Sequence, residues 1–545
     1  MKNRTRTRLG VLLAAGSLLA LAACSGGSSG SDSAASDSDT LVIATASQPA
    51  GFAYEISPTG YETAEFFENT GATLIRNPYV DNEDGTAQQQ DYYNFEPMLA
   101  ESYDVSKDGL TYTFHLDPDA VSVNGNQLTS EDVVFTMQRR FKTDTSINAF
   151  ISAPMFTDPD TQVKAIDDET VAFTVEKKSY GFTLLSLLAN IPYTIYDSTE
   201  LKKHVTDDDP YAVEWSNTHP NFGFGAYSVA DYTPGEQIVY EANEDFVLGA
   251  PSVKRIVQRV VSDAGQRANL LASGDVDIAT QLRPADQVDL ADSDEANIYT
   301  VDSNAFVYMP LTTTMEPFDD VTVRQALTHA IPYDDIINDV YRGRASELSG
   351  ILGSSAPGYS DEGLSPYTYD PELAKSMLED AGYTDPVEFT LTVNNSYPDL
   401  EEVATQIQTA AADAGFDVTI DEVNYATFQE GLSAKTFQAS MGRDYAIVQS
   451  PPYVLGLFYT AGSPINWPNW EDQDFYDALD AGNNGGDPLS DASGAYWNEA
   501  EQIMRDQVPT IWMNYVQPLN AFATDVDGYA FRSDNVIDYS NLSVG

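Results

Sequence analysis

Three consecutive segments near residue 400 do most to restrict the fold. Phe389 to Val393 reads as a strand, Leu400 to Ala414 as a helix stopped by Gly415, and Phe416 to Val423 as a second strand. A strand–helix–strand run of this spacing makes the helix cross over and the two strands pair in parallel. The fold class expected is therefore α/β. A similar piece lies upstream. Val253 to Val261 is a strand, the next helix places Ala268, Leu271 and Ala272 on one side, Gly274 stops it, and Val276, Ile278 and Ala279 begin a returning strand. With 545 residues the chain exceeds one usual core, so two or three lobes are expected.

The stretch from Phe95 to Phe141 is the most legible locally. Leu110, Tyr112, Phe114 and Leu116 alternate with Thr111, Thr113 and His115, the period of a strand with one buried face. Asp108-Gly109 before it and Asn124-Gly125 after it supply turns. A helix follows: Thr129 can cap it, Glu131 and Asp132 suit the positive end of its dipole, and Val133, Val134, Met137 and Phe141 form an apolar stripe. Further along, Val171, Phe173 and Val175 alternate as a strand, Phe182 to Leu188 is an apolar helix, and two strands flank Pro234-Gly235. Glu65 to Leu74 is a candidate helix, and Asn77 to Tyr93 a polar, turn-rich excursion. Asp319 to Gly343 reads as a helix pair broken at Pro332, with Arg324 and His329 off the apolar face as surface or structural groups. A helix from Asp370-Pro371 to Gly382 carries Ala374, Met377, Leu378 and Ala381, and a helix near Tyr496 to Arg505 precedes the strand Thr510 to Met513.

The order of the pieces from Pro97 to Arg140 resembles the signature of the family 5 extracellular solute-binding proteins, the peptide-binding components of ABC importers. It runs P-x-L-A-E-S-aromatic, an Asp-Gly turn, L-T-Y-T-F-H-L, an Asn-Gly turn, then L-T-S-E-D-V-V-F-x4-R. Four later segments follow the same family: the G-x-Y-x-V element around Tyr227, A-N-L-L-A-S-G-D-V-D-I-A at 268–279, P-F-D-D-V-T-V-R-Q-A-L-T-H-A-I at 317–331, and Y-D-P-x-x-A-K-x-x-L-x-x-A-G-Y at 369–383. The resemblance spans roughly Leu41 to Asp527. It implies a periplasmic-binding-protein-like clamp of two lobes with an additional third lobe. The expected layout is domain I from 40–75, 215–300 and 515–545, domain II from 76–214 and domain III from 301–514. It implies cargo binding without catalysis and without a cofactor, closure through hinge crossings, and docking on ABC permease subunits driven by separate ATPases.

The first forty residues have a different character. Lys2, Arg4, Arg6 and Arg8 precede an apolar run from Leu9 to Leu21, the pattern of a signal peptide over 1–23. The run is too short for an ordinary membrane span. Leu21-Ala22-Ala23-Cys24 resembles the lipobox of bacterial lipoproteins, which implies lipid on Cys24 and a place on the outer side of the bacterial plasma membrane, at the cell surface or in the periplasm. Residues 24–39, almost entirely Ser, Gly, Asp and Ala, are a flexible tether. Cys24 is the only cysteine, so no internal disulfide or multi-cysteine metal site is available. A formal net charge of −57 disfavours nucleic acid and an anionic bilayer as partners of the protein surface.

Candidate ligand residues cluster between Gln438 and Asp474, where aromatic, turn and polar residues are interleaved with little regular period. Arg443 suits a carboxylate and Asp444 an ammonium, with Tyr445 beside them. Trp467 and Trp470 suit side-chain pockets or sugar faces. After the first strand, Thr40 to Thr45, the resemblance adds Phe52 and Tyr54 as cleft residues. One departure matters. The family's G-W-x-x-D, whose Asp holds a peptide amino group, is Gly442-Arg443-Asp444-Tyr445-Ala446 here. Either Asp444 substitutes, or the ligand has no free amine. Oligopeptide capture is the leading reading, oligosaccharide capture the alternative, and a secreted hydrolase a more distant one. His115, His204, His219 and His329 are scattered without zinc-site spacing. The G-x-S-x-G at Gly26 lacks a flanking strand and helix, and Gly223-x-Gly225 lacks the third glycine of a dinucleotide loop.

Overall fold

The structure is a computed structural model describing residues 39–56, 60–82, 85–153, 155–353, 356–460, 463, 465–484 and 486–545. The expected signal peptide, Cys24 and the tether up to residue 38 lie outside the described residues. Three sheets organise the rest. The first has six strands in the order Tyr227–Thr233, Gln237–Ala242, Arg255–Val260, Thr40–Thr45, Ile278–Ala279 and Ala521–Phe522. Its central strand, Thr40–Thr45, runs parallel to both neighbours. The second is an antiparallel sheet of Ala100–Val105, Thr111–Leu116, Thr170–Thr174 and Val163–Asp167. The third has six strands in the order Ala345–Glu347, Thr510–Val516, Phe306–Pro310, Ala439–Asp444, Val387–Asn394 and Phe416–Val423.

The expected crossover is present. Val387–Asn394 and Phe416–Val423 pair in parallel along their whole lengths, and the helix Pro398–Asp413 crosses between them. Leu400, Val403, Ala404, Ile407 and Ala411 bury one face of that helix. In the second sheet Tyr112, Phe114 and Leu116 are buried while the alternate positions are half-buried, as their period requires. The next helix, Ser130–Lys142, starts in a capping box between Thr129 and Asp132.

Some expectations need correction. The helix expected from Glu65 to Leu74 runs from Tyr61 to Thr70, because Gly71 takes an extended conformation that ends it. The excursion from Asn77 to Tyr93 contains two short strands, Tyr79–Asp81 and Gln88–Gln90, and the second pairs with Ala530–Phe531 from the far end of the chain. Ala272 is exposed, and the buried polar position of its helix is Arg267, whose guanidinium donates to the carbonyls of Thr280, Val261, Ser262 and Gln281. Arg324 is structural, as expected, donating to the carbonyls of Phe318, Gln507 and Val508. Gly223 and Gly225 have a packing reason. A Cβ at Gly223 would stand 2.2 Å from the Thr70 carbonyl oxygen, so the chain can pass the end of that helix only without side chains.

The cores do not divide in the way the sheets do. One apolar cluster runs without a break from Leu41 and Ile43 of the first sheet, through Phe114 and Phe173 of the second, to Tyr539. The third sheet has a core of its own, with Val307, Leu391, Val403 and Met441, and a neighbouring cluster around Trp497 and Trp512. The first two sheets are thus two faces of one body, and the third is a second body. Two chain segments join them, 280–305 and 517–520. They are tied together: the Val301 N–H donates to Gln517 Oε1 at 2.8 Å, and Gln517 Nε2 donates to the Val301 carbonyl at 3.0 Å.

Candidate functional site

The strand Ala439–Asp444 carries two of the expected site residues to its C-terminal end. It pairs in parallel with Val387–Asn394 on one side and antiparallel with Phe306–Pro310 on the other, where Asp444 stands opposite Phe306 and Arg443 opposite Val307. The C-terminal ends of parallel strands in an open α/β sheet are the usual place for a ligand. Gly442 keeps the approach open, since a Cβ there would lie 3.1 Å from the Tyr308 ring.

Arg443 and Asp444 are neighbours in sequence with opposite surroundings. Arg443 Nη1 lies 2.9 Å from Asp399 Oδ2, and the guanidinium sits 4.7 Å above the Tyr397 ring. Asp399 is fully buried in the first turn of the helix Pro398–Asp413, where the helix dipole favours a carboxylate, and Tyr341 donates to the same oxygen at 3.1 Å. Arg443 is therefore held by an internal partner, which accounts for its charge without a ligand. Asp444 has no such partner. Its Oδ1 accepts from the Tyr445 N–H at 2.8 Å, and among the described residues it forms no ion pair. Burial pushes its carboxyl up to about 6. The phenols of Tyr308, Tyr397 and Tyr445 surround it, each held well above the ordinary tyrosine range by burial first and in part by the Asp444 charge. Asp444, Tyr397 and Tyr445 each retain some solvent contact.

On the first body, Tyr54 is the candidate residue that stands near Tyr445. Tyr54 is nearly buried, with the Arg140 guanidinium 5.0 Å from its ring and Phe67 edge-on at 5.4 Å. Phe52 lies deeper, 2% exposed between Phe66 and Tyr232, each 5.0 Å away. It is a packing group in this structure. The bodies touch just beyond Asp444. Val448 and Tyr453 are buried in the core of the first body, and Asn190 Nδ2 donates to the Ile447 carbonyl at 3.0 Å.

The segment from 438 to 474 is more regular than expected. It holds the strand Ala439–Asp444 and a helix, Pro451–Tyr459, which starts on two prolines suited to a first turn. That helix is apolar on several sides because two bodies cover it, and this masks the usual period. Trp470 is 4% exposed, packed on Tyr459 and Phe475, and has no face left for stacking on a sugar. Trp467 is half-buried against the same cluster. The position that the family pattern would give to an acid, Ala446, is buried in that cluster too. Tyr397, Asp399, Tyr308 and Tyr341 were not singled out by sequence; Tyr397-Pro398-Asp399 at a helix start was the available signal. Among the described residues no group of acidic, His or Cys side chains could hold a metal ion, and no helix is long and apolar enough to cross a membrane.

Comparison with known proteins agrees with this architecture. Residues 94–465 match the family described as bacterial extracellular solute-binding proteins, family 5. Heme-binding protein A of Haemophilus influenzae is 30% identical over 393 residues, covering 68% of each chain. The dipeptide-binding protein of Escherichia coli is 25% identical over 528 residues, covering 93% of this chain and 94% of its own. Among solved structures, the periplasmic binding protein DppA of Helicobacter pylori, in complex with the peptide STSA, shares the fold with a TM-score of 0.78 at 21% identity, covering 93% of this chain and 98% of its own. These relatives are binding proteins, not enzymes. With the match spanning most of the described chain and the parallel strand ends meeting a second body as the fold requires, this protein belongs to the family 5 bacterial extracellular solute-binding proteins of ABC importers.

Proposed function

We propose that this chain captures oligopeptides between its two bodies, takes their ammonium group on Asp444, and hands them unaltered to an ABC permease. The observation that carries the reading is the Asp444 carboxylate: at a strand end, ringed by phenols, partly open to solvent and without a cation. Burial makes its charge costly, and an ammonium would offset that cost. Tyr54 and Tyr397 both stand near Tyr445, and the three offer flat, amphipathic surface suited to variable side chains. A ligand touching both bodies favours the closed arrangement by its difference in affinity for the two states. Trp470 being enclosed leaves oligosaccharide capture with little to stand on.

The three-lobe layout given above belongs to this proposal. The strands of the three sheets fall within its ranges, except that Thr510–Val516 is one unbroken strand, which argues for moving the last boundary beyond Val516. The lipid anchor on Cys24, supported by Leu21-Ala22-Ala23-Cys24, belongs to the proposal as well.

Calorimetry with short peptides, each in free-amino and N-acetylated form, tests the reading. Free-amino peptides should bind and their acetylated forms should not. Asp444→Asn should weaken binding by about 2–4 kcal/mol, roughly 30- to 700-fold. Equal binding of both forms, unmoved by Asp444→Asn, would remove Asp444 from the site. Silence with every peptide and heat from oligosaccharides would overturn the peptide reading itself.

A further inference from the structure

A cavity of about 530 Å³, whose lining includes neither Asp444 nor the phenols around it, lies between the second sheet's helices and the third-sheet body. Its walls come from both sides. Phe150, Met155 and Tyr180 belong to the first body, whereas Tyr453, Leu457 and Leu479 belong to the second. The volume falls within the usual range for small-molecule sites, and junctions between bodies are where such sites concentrate.

Two features make this more than an imperfect fit. The first is Gly456, in the middle of the helix Pro451–Tyr459, where glycine costs about 1 kcal/mol relative to alanine. Its backbone is helical and nothing stands within 4 Å of the place a Cβ would occupy. Neither a left-handed conformation nor a close neighbour calls for glycine there. What its missing side chain provides is room in the cavity it lines. The second is Lys177 at the rim. Its ammonium is 5.5 Å from the centre of the Tyr180 ring and 3.4 Å from Asn484 Oδ1, which reaches it from the other body. It forms no ion pair among the described residues. Asp480 lines the cavity without an ion pair as well. On a chain with 84 acids against 27 bases, an unpaired acid is the ordinary case. The unpaired lysine beside an aromatic wall is therefore the more informative group.

We infer that this cavity is a second binding site, for a small organic anion with an apolar or aromatic body and a single carboxylate. The body fills the space beside Gly456, and the carboxylate meets Lys177 at the rim. Because the walls come from two bodies, an occupant is a contact between them and favours the arrangement in which they touch. Cargo on Asp444 and an anion here would then assist each other, by reciprocal linkage.

Calorimetric titration of the full chain with 3-phenylpropionate and with octanoate tests this, using 3-phenylpropionamide as the uncharged control. Both acids should bind. Lys177→Met should weaken them about tenfold while leaving the amide unchanged. Gly456→Leu, which fills the space without meeting backbone, should abolish binding of acids and amide alike. Neither variant touches Asp444, so the difference between free-amino and acetylated peptides should persist in both. No binding to the unaltered protein, or binding that neither variant changes, would overturn the inference. Should Gly456→Leu fail to fold, Lys177→Met still decides, since only a site at this rim separates acid from amide.

Discussion

The surroundings of Glu55 in the first body and of Asp444 in the second treat buried charge differently. In the first, Arg139 and Glu55 form an ion pair at 2.8 Å with both side chains fully enclosed. Ser216 Oγ and the Tyr211 carbonyl accept further bonds from the same guanidinium, and the Tyr196 ring lies 4.9 Å away. Arg532 is likewise held between Glu68 and Asp534. Each of these charges has its answer inside the fold. In the second body, the Arg443–Asp399 pair is answered, yet the next residue along, Asp444, is not. A buried charge is retained when it is paired, or when something outside the fold pairs with it. Glu65 and Glu501 are also enclosed without a cation, but Gln258 Nε2 and the Leu352 N–H donate to them and they are almost wholly shut off from water. Asp444 is still partly open to solvent, which marks it as the group with work left to do and Arg139 as architecture.

The contrast can be broken most forcefully in the first body. Glu55→Ala leaves Arg139 enclosed without its counter-charge and should cost about 3–5 kcal/mol in denaturant unfolding. Burial alone would raise the Glu55 carboxyl, but Arg139 and Arg140 outweigh it and the net direction is down. Its stabilisation is therefore present above the ordinary glutamate value of 4.5 and is lost as pH falls through the lower folded value. The unfolding midpoint of the unaltered protein should drop there, and Glu55→Ala should flatten that part of the profile. A loss below about 1 kcal/mol would mean that Glu55 and Asp444 do not differ in the way described.

A smaller effect is expected at Arg443, which is partly open to solvent. Arg443→Met should cost about 1–3 kcal/mol, because Asp399 keeps one hydrogen bond from Tyr341. The double variant with Asp399→Asn should recover part of it, as paired groups do in a cycle. If Arg443→Met instead left stability untouched and removed ligand binding, Arg443 would belong to the site and Asp399 would be its support.

The smallest effect carries the opposite sign. The folded Asp444 carboxyl stands near 6 against an ordinary 3.8, so the folded state prefers it protonated. The cost of its charge is absent below about 4, grows between the two values and is complete above about 6. The shift is worth about 3 kcal/mol at most, and the solvent the carboxylate still meets screens it, so Asp444→Asn should raise the unfolding midpoint at pH 7.5 by an amount worth about 1 kcal/mol and leave it unchanged at pH 3.5. A stabilising substitution that removes binding is the expected trade at a functional group. Destabilisation at pH 7.5 would show that Asp444 is a structural acid like Glu55.

Much of the scaffold was legible because local periodicity and tertiary need coincide. The strand at 111–116, the helix behind its Thr129 cap and the crossover from 387 to 423 all follow from spacing and stop residues. Phe306–Pro310 did not announce itself. It is central in its sheet and buried at all five positions, so the alternation that betrays a half-buried strand is missing. The helix Pro451–Tyr459 stayed hidden for the same reason, being covered from two sides. At the site, Arg443 and Asp444 were visible as a charged pair beside aromatics, but they read as equals. Phe52 and Trp470 were visible as aromatics, and both are packed away.

What the residue order determined alone is the α/β class, the parallel crossover and the family, since each rests on spacing within a few dozen residues. What only the tertiary structure decided is which charges are free. Arg443 finds Asp399 across 44 positions, from a helix start that a neighbouring strand brings alongside. Nothing local says which of 84 acids will stand there. Pairing is a matter of distance in space, so a carboxylate left without a cation among aromatic side chains at a strand end could be recognised only once the chain was folded.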